Sequence, residues 1–236
     1  MSDKPLQGFR GQRGEAPLIE EILEIRRNFY ALLYRLYVEA PPRELADDLV
    51  NERFHFQELR SLDINAELSE GFRLLNKFME KSKGREVDAL HEELVREYTR
   101  LFIGPFKLPV QPYEAWWVSG HLLGEPLVKV KAFYRKAGIA KSSEYKEPED
   151  HIGFELKFMH YLCEEELSAD TQERLKECLT LQREFLDEHI LKWMPAYCDA
   201  LYAYERTDFY KGIAKLTKGF ILLEDTVISD LVESAR

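Results

Sequence analysis

Apolar side chains in this chain recur at three- and four-residue steps, and almost nowhere at the two-residue step of a strand. Leu18, Ile22, Ile25, Phe29, Leu32 and Leu36 form one such stripe. That spacing puts them on one face of a helix, to be buried against neighbours. Proline and glycine cut the pattern into pieces. Pro41-Pro42 ends the first helix, because the residue before a proline is pushed out of the helical region. Further helices are expected over 42–51, 65–81, 86–102, 127–137, 148–166, 171–193 and 208–233, with Pro195 breaking the one before the last. Gly104-Pro105 closes the fourth, and Pro105, Pro109 and Pro112 make 104–113 a stiff extended connector. Residues 142–146 read as a loop. The expected fold is all-α: one helical domain of about ten helices over 17–236, behind a flexible segment over 1–16.

The chain has 236 residues, of which 45% are apolar, so it can bury a sizeable core. Its 43 acidic against 33 basic residues leave a net charge of −10. That balance disfavours nucleic acid and anionic membranes and suits a basic partner, such as a cationic peptide. Three cysteines without a C-x-x-C spacing argue against a disulfide framework or a thiolate zinc site. The first residues lack an apolar core and read as neither signal peptide nor anchor. Arg26-Arg27-Asn28-Phe29 looks like an export signature, but Arg35 and Glu39 interrupt the run behind it. The two arginines are therefore read as polar-face residues of the first helix, and Glu164-Glu165-Glu166 as a solvated helix end.

The densest chemistry lies in Glu147-Pro148-Glu149-Asp150-His151, followed by Glu155. Pro148 suits the first position of a helix, with Glu149 and Asp150 in its first turn against the helix dipole. Capping accounts for Asp150, less well for His151, and leaves His151 and Glu155 within reach on one face. Cap and working site both stay open at this point. The helix behind is apolar on two sides, through Ile152, Leu156, Met159 and Cys163 and through Phe154, Phe158, Tyr161 and Leu162, so it should be central. A metal held by His151, Glu155 and His160 fails on geometry, since nine residues put His160 on the opposite side and about 13 Å away. No phosphate loop, dinucleotide fingerprint or nucleophile elbow is present, so no catalytic residue, cofactor or nucleotide is assigned. Trp116-Trp117, near Tyr113, suits either a peptide groove or the core.

Two segments carry a resemblance. Tyr98-Thr99-Arg100-Leu101-Phe102-Ile103-Gly104-Pro105, continuing to Pro112-Tyr113-Glu114, resembles one signature of the TorD/DmsD/NarJ redox-enzyme maturation chaperones. Glu147 to His151 with Glu155-Leu156 and Phe158-Met159 resembles the other, and Phe133-Tyr134 with Ala137-Gly138-Ile139 fits between them. The likeness covers most of 20–165. Ala115, where the family often has Ser, and the Trp116-Trp117 pair depart from it. The resemblance implies an all-helical cytoplasmic chaperone without catalysis. Its partner would be the twin-arginine signal peptide or N-terminal tail of a molybdenum-cofactor oxidoreductase of the dimethyl-sulfoxide-reductase type. Its role would be to assist cofactor insertion and hold back export. It ties Asp150 and His151, with Leu101, Phe102, Gly104 and Pro105, to peptide binding. Beside those, the acids Glu147, Glu149 and Glu155 are expected to meet the arginines, and Phe102, Pro109, Tyr113 and Trp116 the apolar part. A nitrate-reductase-type assembly factor and a generic helical interaction module are the alternatives. A monomer is expected, with segment exchange between protomers as the route to a dimer.

Overall fold

The computed structural model describes residues 15–53, 65–104, 108–142 and 146–235, with side chains from residue 20 onward. Ten α-helices follow one another among these residues: α1 (Glu15–Val38), α2 (Arg43–Val50), α3 (Ala66–Ser82), α4 (Val87–Tyr98), α5 (Glu114–Ser119), α6 (Glu125–Lys136), α7 (Ile152–Leu167), α8 (Gln172–Phe185), α9 (Leu191–Tyr204) and α10 (Asp208–Ser234). The first 14 residues, and Pro105 in the connector, lie outside the described set. The all-α expectation holds.

α10 lies against α3, α8 and α9, while α1 lies against α7. The α3–α10 contact brings backbones together, since a Cβ on Gly219 would sit 2.6 Å from the Leu68 nitrogen. Asn65 fastens the same joint: its side chain accepts from the Leu68 N–H (2.9 Å), capping α3, and donates to the Gly219 carbonyl (2.9 Å). The centre is aromatic, with Tyr30, Tyr37, Phe185, Trp193, Tyr197 and Tyr210 fully buried. α7 is buried nearly all round, as its two apolar stripes require.

The buried line of α1 differs from the apolar stripe read off the sequence. Ile22 and Ile25 face solvent, and the buried positions are Arg26, Tyr30, Leu33, Leu36 and Tyr37. Arg26 is therefore no polar-face residue, and Glu166 no solvated helix end. Arg26 donates from Nε to Glu224 (2.9 Å), from Nη1 to Glu166 (2.8 Å) and from Nη2 to Gln182 (2.6 Å), tying α1 to α10, α7 and α8. A lone ion would be costly to bury, but this one finds partners on three other helices. Burial works against its charge, yet Glu224 and Glu166 hold its pKa above the ordinary arginine value.

Other expectations are corrected in detail. The helix foreseen from Pro148 begins at Ile152, with His151 as its N-cap. The helix foreseen over 86–102 loosens after Tyr98 into a π-helical turn, Thr99–Ile103, which Gly104 ends at φ +84°. The backbone is extended at Tyr113, and the short α5, which was not expected, begins at the next residue. Pro195 sits inside α9 without ending it. The irregularity lies earlier, in a π-helical turn over Leu186–Ile190.

Candidate functional site

The two signature segments fold onto each other. Tyr113 and His151 form an antiparallel β-bridge. The Ile152 N–H donates to the Pro112 carbonyl (2.8 Å), and the Glu114 N–H to the Asp150 carbonyl (3.0 Å). Side chains close the joint. Asp150 Oδ2 accepts from the Ala115 N–H (3.0 Å), so it caps α5, a helix 35 residues away in sequence. His151 Nδ1 accepts from the Gly153 N–H (3.1 Å) and caps α7. The aromatic ring of Tyr113 meets the His151 imidazole edge-on, at 5.4 Å between centroids, and its hydroxyl donates to Glu147. The Tyr134 hydroxyl donates to the Glu149 carbonyl (3.0 Å).

Beneath the joint lies a second polar group that the sequence reading missed. Glu114 accepts or shares a proton with His189 Nδ1 at 2.8 Å, and Trp193 donates from Nε1 to Glu155 (3.0 Å). All four side chains are buried. Glu155 Oε1 and His189 Nε2 have no hydrogen-bond partner among the described residues. Burial first, then the charge of Glu114, pushes the Glu155 carboxyl well above its usual range. Glu114 stands inside a signature and was visible on that ground. His189 had no local signal, since it is set apart by 75 residues from its partner.

The site residues expected from sequence divide into two groups. Asp150, His151, Glu155, Leu101 and Phe102 are sealed in the fold, Phe102 among Tyr37, Tyr98 and Tyr210. Tyr113 is buried at the joint. Gly104, Pro109 and Trp116 are half-buried, and Glu149 is half-buried and paired with Lys131 (3.3 Å). Of the four expected acids, Glu147 alone is exposed. Among the described residues no three His, Cys, Asp or Glu side chains converge as a metal-binding group.

Burial lowers the pKa of His151 to about 3, so the ring is neutral and its Nδ1 is free to accept. An unfolded histidine titrates near ~6.5, so below that pH the unfolded chain takes up a proton that the folded chain refuses. His151 therefore removes stability as pH falls from ~6.5 toward 3. Asp150 and Glu155, whose pKa values burial raises, act in the opposite sense. Comparison with His151→Gln isolates the imidazole. Urea unfolding at pH 7, 6 and 5 is expected to show the variant gaining about 2 kcal/mol on the wild type between pH 7 and 5. A difference that stays constant over that range would mean the ring is accessible to protons.

The two segments locked together here are the ones that carry the resemblance to the TorD/DmsD/NarJ type. The chain belongs to the nitrate reductase delta subunit family, whose model matches residues 63–199. That match runs past residue 165, where the recognisable motifs end, and takes in α8, His189 and Trp193. Among similar proteins, the Haemophilus influenzae chain named Tat proofreading chaperone DmsD is 32% identical over 130 residues, 54% of this chain and 58% of its own. The chaperone protein TorD of Vibrio vulnificus is 28% identical over 134 residues, 56% of this chain and 62% of its own. That of Photobacterium profundum is 29% identical over 188 residues, 77% of this chain and 86% of its own. The first two alignments cover less than two thirds of the relatives' length. A crystallised Archaeoglobus fulgidus chain assigned to redox enzyme maturation aligns with 93% of this chain at TM-score 0.48 and 17% identity.

Proposed function

We propose that this chain is a cytoplasmic, non-catalytic chaperone for the catalytic subunit of a molybdenum-cofactor oxidoreductase. It binds that subunit's twin-arginine leader or N-terminal tail, and it holds the precursor back from export while the cofactor is inserted. The observation that carries this is the joint itself: the two segments on which the resemblance rests are one structural unit. The names of the relatives, a Tat proofreading chaperone and TorD chaperones, support the same reading. No helix among the described residues is long and apolar enough to cross a membrane.

In this reading Asp150 and His151 are positioning residues. They are too deeply buried to touch a peptide, and they hold Trp116 and Glu147 in place through the caps of α5 and α7 and the bridge between them. Calorimetry of the full chain with a synthetic peptide carrying two arginines before an apolar stretch tests this. Binding is expected, and Asp150→Ala should weaken it while lowering stability by about 1 kcal/mol through the lost cap. Asp150→Asn keeps an acceptor oxygen for the Ala115 N–H and should restore both. Wild-type affinity in Asp150→Ala would separate the joint from the binding site. The family's nitrate-reductase description favours one alternative, an assembly factor for an enzyme that is not exported. Capture of a molybdoenzyme subunit equally well with and without its leader would select that alternative.

A further inference from the structure

A basic leader needs carboxylates in pairs, which the signature does not supply: Asp150 and Glu155 are sealed, Glu149 is held by Lys131, and Glu147 alone is exposed. An open groove on α7 does. Between the end of α6 and the start of α8, one side of α7 is left uncovered by the other described residues. Its narrower chamber, 270 Å³, is lined by Tyr134, Phe154, Phe158 and Tyr161, with Lys141 and Lys157 at its rim. Its wider chamber, 690 Å³, also reaches Tyr161, and α8 lines it with Glu173 and Glu177 opposite Glu165 of α7. From Phe154 to Glu165 the floor is about 16 Å long, room for three helical turns or about five extended residues.

Charge is unevenly distributed along this floor. In the wider chamber Lys136 is held by Glu184, and Arg174 is shared between Asp170 (3.4 Å) and Glu165 (3.5 Å). Glu173 and Glu177 are exposed, lie one turn apart, and make no ion pair among the described residues. Lys176 is the one lining cation left against them. Glu173 gains from the amino-terminal end of α8, but Glu177 is a turn further on and does not. Like charges at this spacing repel, and a cation placed between them removes that cost. The carboxyl end of α7, with its own partial negative charge, closes the same end of the groove.

Resting on the chaperone reading above, we infer that this groove is where the leader lies. Its apolar stretch packs on the aromatic floor at Phe154, Phe158 and Tyr161, and its arginines reach Glu173 and Glu177. Calorimetry of the full chain with the double substitution Glu173→Lys, Glu177→Lys tests this against two peptides, one with paired arginines and one with glutamates in their place. Both positions are exposed, so the thermal midpoint should not fall. The arginine peptide is expected to bind about tenfold or more weaker than to wild type, and the glutamate peptide tighter than to wild type. Undiminished binding of the arginine peptide by the double variant overturns the groove assignment and leaves the chaperone reading standing. Failure of the wild type to bind that peptide at all overturns both.

Discussion

Arg26→Ala is expected to destabilise the fold by about 3–5 kcal/mol, because it leaves Glu166 and Glu224 buried without their cation. In a chain of this length that loss lowers the thermal midpoint by roughly 10 °C. The penalty comes from the stranded carboxylates more than from the lost attraction. Neutralising them should therefore recover much of it: Arg26→Met combined with Glu166→Gln and Glu224→Gln is expected to regain most of the wild-type stability. Thermal and urea unfolding of the single and triple variants measures both effects. A loss under about 1 kcal/mol in Arg26→Ala would show that water reaches the cluster. The substitution lies away from the joint, at the contact of α1 with α7, α8 and α10.

Gly153→Ala is expected to cost up to about 3 kcal/mol, by overpacking the contact between α1 and α7. A Cβ at this position would lie 2.3 Å from Val38 Cγ2, 3.4 Å from Tyr37 Cβ and 3.3 Å from the Nδ1 of His151. The residue is the second of α7, and its N–H is the one that the imidazole caps. Moving it therefore loosens the joint as well as the helix pair. Val38→Ala in the same chain removes the closest obstacle, and the two substitutions together should be less harmful than their separate effects predict, with a coupling of about 0.5–3 kcal/mol. Additive effects in urea unfolding would mean that the two helices separate to admit the methyl group. Gly153→Ala is also expected to weaken binding of the leader peptide.

The helices were legible in the sequence because each carries its own period and its own stop. Asn65 and Thr171 cap α3 and α8 with side chains that any reader of the sequence would choose. What was hidden depends on partners far along the chain. Arg26 reads as a surface arginine until Glu166, Gln182 and Glu224 arrive from three other helices. Pro148 reads as a first helical residue, yet the Asp150 backbone pairs with Glu114 and α7 starts only at Ile152. Pro195 reads as a break, yet it sits within α9, after the π-helical turn over Leu186–Ile190.

The candidate site was legible in a different way. Both of its segments stood out by residue type, and so did the Asp150–His151 pair. Their relation did not, because a bridge between residues 113 and 151 leaves no periodic trace in either segment. The direction of the side chains was hidden too. Acids in a row suggest an acidic rim, but the carboxyls of Asp150 and Glu155 turn inward to Ala115 and Trp193. The exposed acids of the groove, Glu173 and Glu177, sit on an ordinary amphipathic helix with nothing in its sequence to single them out.

The wiring of α5 also sets an order of events during synthesis. This helix has six residues, too few to stand alone, and its amino-terminal cap is a side chain 35 positions downstream. The buried Glu114 at its first position finds its histidine only 75 positions downstream. At about 5–20 residues per second on a ribosome, roughly 4–15 s separate the making of Glu114 from the making of His189. The cap is made about halfway through that interval, and the Pro112–Ser119 segment lacks its buried partner until the end of it. The face that carries Trp116 is therefore among the last parts of the chain to mature, and a nascent chaperone cannot engage a client before most of its own core has been made.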